Sequence, residues 1–168
     1  MGAWSRRLSR RELPLWDKDF IHLHLDDRGQ FLFFQMDRAD QRHALAVAKA
    51  VLAKRGYQTG QPVEPLVQAA LLHDIGKIAG DLPPFKRLLV GLVRRLAPGL
   101  RQKWAKRQGG SLERAFYVDL NHARRGAYMA RAFGVSPEVA AIIRAHHDAP
   151  QAGEPKILTY LREADGKN

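Results

Sequence analysis

The stretch Ala70-Leu71-Leu72-His73-Asp74-Ile75-Gly76-Lys77 limits what this chain can fold into more than any other. An apolar helical run leads straight into an imidazole and a carboxylate. Leu66, Ala70, His73 and Asp74 stand at i, i+4, i+7 and i+8, which predicts one face of a helix over 62–77 with Pro62 near its start. That stripe must enter the core, and it takes two ionisable groups with it. Their burial is costly unless something satisfies them. A shared metal ion does so for both; an internal His–Asp hydrogen bond in an ordinary core is the alternative. Gly76 lets the backbone leave the helix just beyond, which frees Lys77 to face an anion above the site.

The same pattern recurs along the chain. A helix over 38–55, capped by Asp37 or Asp40 and closed by Lys54-Arg55-Gly56, carries His43 on a stripe with Val47, Ala50 and Val51. After the turn and cap Gly109-Gly110-Ser111, a long helix to about Phe133 puts His122 with Ala115, Val118, Gly126 and Met129. Gly126 lies one turn beyond the histidine, where a partner can approach closely. Gly134 stops that helix, and Ser136-Pro137-Glu138 starts the next with an N-cap and a proline at N1. There Val139, Ile142, Ile143 and His146 share a face, with His147 adjoining. Past the loop 150–155, Leu158, Leu161 and Asp165 share a stripe. The pattern is helical throughout, so an all-α bundle is expected. Five helices with ionisable groups on their apolar stripes would spoil a core unless those groups serve one purpose, and a metal centre between facing helices is the economical one. There is no cysteine, so the ligands are nitrogen and oxygen. Such a donor set suits one or two ions of iron, manganese, zinc, cobalt or nickel.

The rest of the chain is less specific. Its 168 residues, 45% hydrophobic, suit a single domain. Residues 1–37 read as an amino-terminal arm and first helix packing on a domain over 38–168. The arm begins with Arg6, Arg7, Arg10 and Arg11, and Pro14 breaks any early helix. His22 and His24 alternate with leucines, as in a short extended piece with both histidines on its wet side. Residues 31–36, rich in phenylalanine, are expected to form a helix packing several rings into the core. Around 82–110 lies an insert that begins at the break Asp81-Leu82-Pro83-Pro84. Phe85, Leu88, Leu89, Leu92, Val93 and Leu96 form an amphipathic stripe in it, and Lys86, Arg87, Arg94 and Arg95 lie on the other side. After Pro98-Gly99 the basic run continues through Arg101, Lys103, Lys106 and Arg107 around Trp104. No acid occurs between Leu82 and Leu112. The segment could cover the site, meet a nucleic acid or rest on an acidic membrane; a core-packing helix with a solvated basic back is the plainer reading. The net charge of +11 favours anionic partners. With no secretory signal and no apolar run of membrane-spanning length, a cytoplasmic protein is expected.

The order His43, His73-Asp74, His122, His146-His147, Asp165, together with the His-Asp-Ile-Gly-Lys string, resembles the HD-domain superfamily of metal-dependent phosphohydrolases over about residues 38–168. The resemblance implies an all-α fold in which His43, His73, Asp74 and Asp165 hold a first metal. In two-metal members Asp74 would bridge to a second ion held by His122, His146 and, as ligand or mere neighbour, His147. Lys77 would contact substrate phosphate. The larger set occurs in HD-GYP-type cyclic dinucleotide phosphodiesterases and in symmetrical dinucleoside tetraphosphatases. The Gly-Tyr-Pro signature is absent, since Ala149-Pro150-Gln151 follows Asp148, so a cyclic dinucleotide is not specifically implied. The implied activity is hydrolysis of a phosphate mono- or diester, with a nucleotide expected, by metal-activated water, Asp74 and Lys77 being catalytic. A di-iron oxygenase of the myo-inositol oxygenase type and a basic module binding nucleic acid or acidic lipid are the alternatives.

Overall fold

In the helix Glu64–Leu72 the apolar side chains Leu66, Val67, Ala69, Ala70, Leu71 and Leu72 are all fully buried. A helix apolar all round belongs inside, and this one is the axis on which the others pack. The computed structural model describes residues 12–55, 63–77 and 84–167. Gly56, Pro62, the basic arm up to Arg11 and the break at 81–83 lie outside the described residues. Nine α-helices and one 3-10 turn are found among those described, with no strand. In order they are α1 (Leu15–His24), α2 (Asp27–Phe34), α3 (Arg38–Arg55), α4 (Glu64–Leu72), the 3-10 turn Ile75–Lys77, α5 (Pro84–Leu96), α6 (Pro98–Trp104), α7 (Ser111–Ala132), α8 (Pro137–Ala145) and α9 (Lys156–Asp165). The fold is all-α, as expected. None of these helices is long and apolar enough to cross a membrane.

Helices α1, α2, α3, α8 and α9 all touch α4, and α7 closes the bundle against α8 and the 3-10 turn. Helices α5 and α6 form a hairpin that leans on α7. Their small separate core is Val90 with Ala115, Phe116 and Val118. Local signals set several boundaries. Asp26 caps α2 by accepting the Gly29 N–H at 2.8 Å, and Ser136 caps α8 through the Val139 N–H at 3.2 Å. Gly134 ends α7 with φ +80°, and Val135 N–H returns to the Ala130 carbonyl at 2.9 Å.

Five expectations need correction. His22 and His24 lie on helix α1, because Pro14 starts this helix at its N-cap instead of breaking it. His24 Nδ1 lies 3.0 Å from a Glu64 carboxylate oxygen, and His22 is exposed. Of the three rings in 31–34 only Phe33 is buried; Phe31 stacks on Phe133 near the surface, since only one side of α2 faces α4. The predicted helix over 62–77 is α-helical only to Leu72, after which the chain tightens into the 3-10 turn, with Lys77 N–H on the Asp74 carbonyl at 2.9 Å. Ser111 opens α7 without capping it: Gly110 is the N-cap, and the Glu113 carboxylate accepts the Gly110 N–H at 2.8 Å. Finally, α5 is no core-packing helix. Its Leu88 is 68% exposed and Leu92 52%, while the inward side offers Val90.

Candidate metal centre

The site begins where α4 ends. At the C-cap His73 keeps helical dihedrals, φ −59° and ψ −30°, so its Nδ1–H reaches the Ala70 carbonyl at 2.8 Å. His122 on α7 does the same with the Asp119 carbonyl at 2.7 Å, and His146, at the C-cap of α8, with the Ile143 carbonyl at 2.6 Å. A carbonyl only accepts, so in all three rings Nδ1 carries the proton and Nε2 presents its lone pair. These three Nε2 atoms, together with Asp74 Oδ1, are buried and lack a hydrogen-bond partner. Three orphaned imidazole lone pairs beside a buried carboxylate are costly as a core and suited to a cation.

Distances sort the expected residues into two groups. His43, His73 and Asp165 each bring a ligand atom to within 4.8 Å of one another; so do His122, His146 and His147. Asp74 lies between them, its Oδ2 3.7 Å from His73 Nε2 and its Oδ1 3.5 Å from His122 Nε2. The His73 and His146 rings, one from each group, are 5.2 Å apart. His147 is exposed, but its ring centre is 4.7 Å from that of His122, so it faces the site from the solvent side. In the first group Asp165 Oδ1 accepts from His43 Nε2–H at 2.8 Å, a proton that a cation bound at that nitrogen would displace. The structure therefore brings all seven expected donors together from α3, α4, α7, α8 and α9.

Lys77 does not stand free. Its Nζ donates to Asp74 Oδ2 at 2.7 Å and comes equally near Oδ1 without hydrogen-bond alignment. Its side chain keeps 19% of its surface exposed. Gly76 does more than release the backbone. A Cβ there would lie 1.9 Å from the His122 carbonyl oxygen, and one at Gly126 would lie 3.2 Å from Gly76 N. Two glycines thus let the 3-10 turn press against α7, which sets Asp74 beside His122. The spacing His122-x-x-x-Gly126 marked this approach correctly.

The electrostatics favour neutral imidazoles at His122, His146 and His147 and ionised acids at Asp74 and Asp165. Burial, followed by the charge of Lys77, holds the His122 pKa well below its ordinary value. Burial, with His73 and His147 nearby, lowers His146 to about 3, and partial burial lowers His147. For His73 burial also works downward, but Asp74 and Asp165 outweigh it and the pKa is raised. Burial pushes Asp74 upward, yet His73, Lys77 and His122 hold it well below the carboxylate range. Against the same penalty, the hydrogen bond from His43 and the nearness of the His73 ring, 3.4 Å away, hold Asp165 well below the carboxylate range.

One part of the site was missed by sequence reasoning. Beside His147 and Asp148 opens a cleft of about 420 Å³ whose wall holds Arg94, Arg101, Arg124 and Arg144. Buried Asp119 fixes Arg101 at 2.6 Å and lies 3.8 Å from Arg94, while Arg124 and Arg144 are in no ion pair among the described residues. The available signal was proximity in sequence: Arg124 follows His122 by two residues and Arg144 precedes His146 by two. A second, larger basic hollow, lined by Arg107, Arg114, Arg124 and Arg125, lies away from the donors.

No curated protein matches the chain, and no solved structure does. The family model for the HD domain matches residues 41–166, the span that carries every donor described above. The chain belongs to the HD-domain family and is thus a member of a superfamily of metal-dependent phosphohydrolases.

Proposed function

We propose that this chain hydrolyses a phosphate mono- or diester, with a nucleotide as the favoured substrate, at a centre holding one or two divalent transition metal ions. The observation that carries the reading is the set of three orphaned buried Nε2 lone pairs, of His73, His122 and His146, gathered around the Asp74 carboxylate. In this reading His43, His73 and Asp165 hold one ion and His122, His146 and His147 the other, with Asp74 shared. Ions so held polarise a phosphoryl group and lower the pKa of bound water toward neutrality.

The protein's own groups do the rest. The Nδ1–H bonds of His73, His122 and His146 to helix carbonyls lock these three rings with Nε2 left to bind. Lys77 holds Asp74 ionised and turns its N–H donors toward a phosphoryl oxygen. The cleft arginines bind the remaining anionic part of the substrate, Arg101 being pre-oriented by Asp119. This cleft favours a phosphoester over the neutral substrate of an oxygenase.

The test is turnover of bis(p-nitrophenyl) phosphate and a nucleotide panel by metal-loaded protein under anaerobic conditions, with metal content measured on the same samples. Activity is expected, and Asp74→Ala is expected to lose both turnover and bound metal. Retained turnover in that variant overturns the role of Asp74. Activity that requires dioxygen overturns the hydrolase reading in favour of a di-iron oxygenase.

A further inference from the structure

Helix α5 turns its apolar side away from the protein. Phe85, Leu88, Leu89, Leu92 and Leu96 are 70%, 68%, 38%, 52% and 72% exposed. They stand on one arc of the helix over a span of about 16 Å. The opposite arc packs on α7 through Val90 and Val93, and Lys86 reaches the Ser111 carbonyl at 3.2 Å. This inverts the ordinary amphipathic arrangement, in which the apolar arc faces the core. Among the described residues nothing covers the arc. It forms a protruding row, and a row of such size marks a surface that meets something else.

The charges around the row identify the occupant. Residues 82–112 contain eight lysines and arginines and no acid. Exposed Arg95 flanks the row on α5, and exposed Lys103 follows on α6 beside Trp104. Pairing two copies through this face would set one basic rim against another. A nucleic acid would answer the rim but leave five apolar side chains unburied. An anionic bilayer answers both: the apolar arc enters the acyl boundary while Arg95 and Lys103 meet headgroup phosphates.

We propose that α5 and α6 form an interfacial hairpin that docks the protein on anionic phospholipid. The full chain should float with vesicles of phosphatidylcholine mixed with phosphatidylglycerol, but not with phosphatidylcholine alone, and raised salt should weaken the binding. Leu88→Glu combined with Leu92→Glu should weaken it by at least about tenfold. Thermal unfolding of this variant, followed by circular dichroism, should not change, because both side chains are exposed. Arg95→Glu combined with Lys103→Glu, which spares the apolar row, should lower binding several-fold. Three results overturn the proposal: no flotation of the wild type with anionic vesicles, flotation unaffected by either double variant, or a wild-type dimer that the leucine variant dissolves while vesicles are ignored. Retention on duplex DNA that survives the leucine variant, with no vesicle binding, overturns it as well.

Discussion

At the scale of single residues, Gly76 is the position where geometry leaves least room. An alanine there drives its Cβ into the His122 carbonyl, a backbone atom that cannot swing aside. Gly76→Ala is expected to destabilise the protein by about 3 kcal/mol in urea unfolding and to reduce bound metal, because the 3-10 turn must lift from α7. Gly91, inside α5 with open space around it, supplies the contrast: Gly91→Ala should stabilise by about 0.5–1 kcal/mol. The cleft arginines make a second residue-scale prediction. Replacing Arg124 and Arg144 with alanine should raise KM for a phosphorylated substrate by about tenfold while kcat changes little, since neither side chain is among the donors. An unchanged KM in steady-state assays would remove the cleft from substrate binding.

At the scale of elements, each donor is placed by a helix that ends or bends near it. His73 and His146 are C-cap residues, so their rings look past the last turn of α4 and α8 into the space between helices. His122 sits in mid-helix and needs the glycines to bring α4's continuation close. The stripe spacing made His43, His73, His122, His146 and Asp165 legible, because a period of 3.6 depends only on local geometry. The orientation of α5 was not legible. Its stripe is among the strongest in the chain, but a stripe reveals that a face is apolar and not which neighbour receives it. The short α1 was misread for a related reason: alternation over five residues, Ile21 to Leu25, cannot outweigh a helix that packs Ile21 against the core.

At the scale of the whole molecule, the buried site couples stability to pH. The depressed pKa values of His122, His146 and His147 mean that the unfolded chain takes up protons first as pH falls below about 6.5. Folded metal-free protein should therefore lose stability from about pH 6.5 downward, the His146 part continuing to about 3. Asp74 and Asp165 add a loss below the ordinary carboxylate range, because their folded pKa values are depressed too. His73 acts in the opposite sense, being raised, but it is one group against three histidines. Thermal unfolding of chelator-treated protein across this range should show a falling melting temperature. A flat profile from pH 7 to 4 would contradict the burial of these groups. Metal should flatten the curve in part by binding only the folded state, an effect that grows with free metal concentration.

What the sequence alone determined is local and periodic: helices in this order, ionisable groups on their apolar stripes, and glycines at the points of close approach. Those follow from backbone geometry and the cost of burying polar atoms, which act within a few turns. Only the tertiary structure decided that the donors divide into two groups about Asp74, that Lys77 is held by that carboxylate, that arginines from four helices line one cleft, and that α5 shows its leucines to the outside. Each of these depends on which surfaces of distant helices meet, a matter of packing among segments up to 122 residues apart, as between His43 and Asp165. No pattern within one segment carries that information.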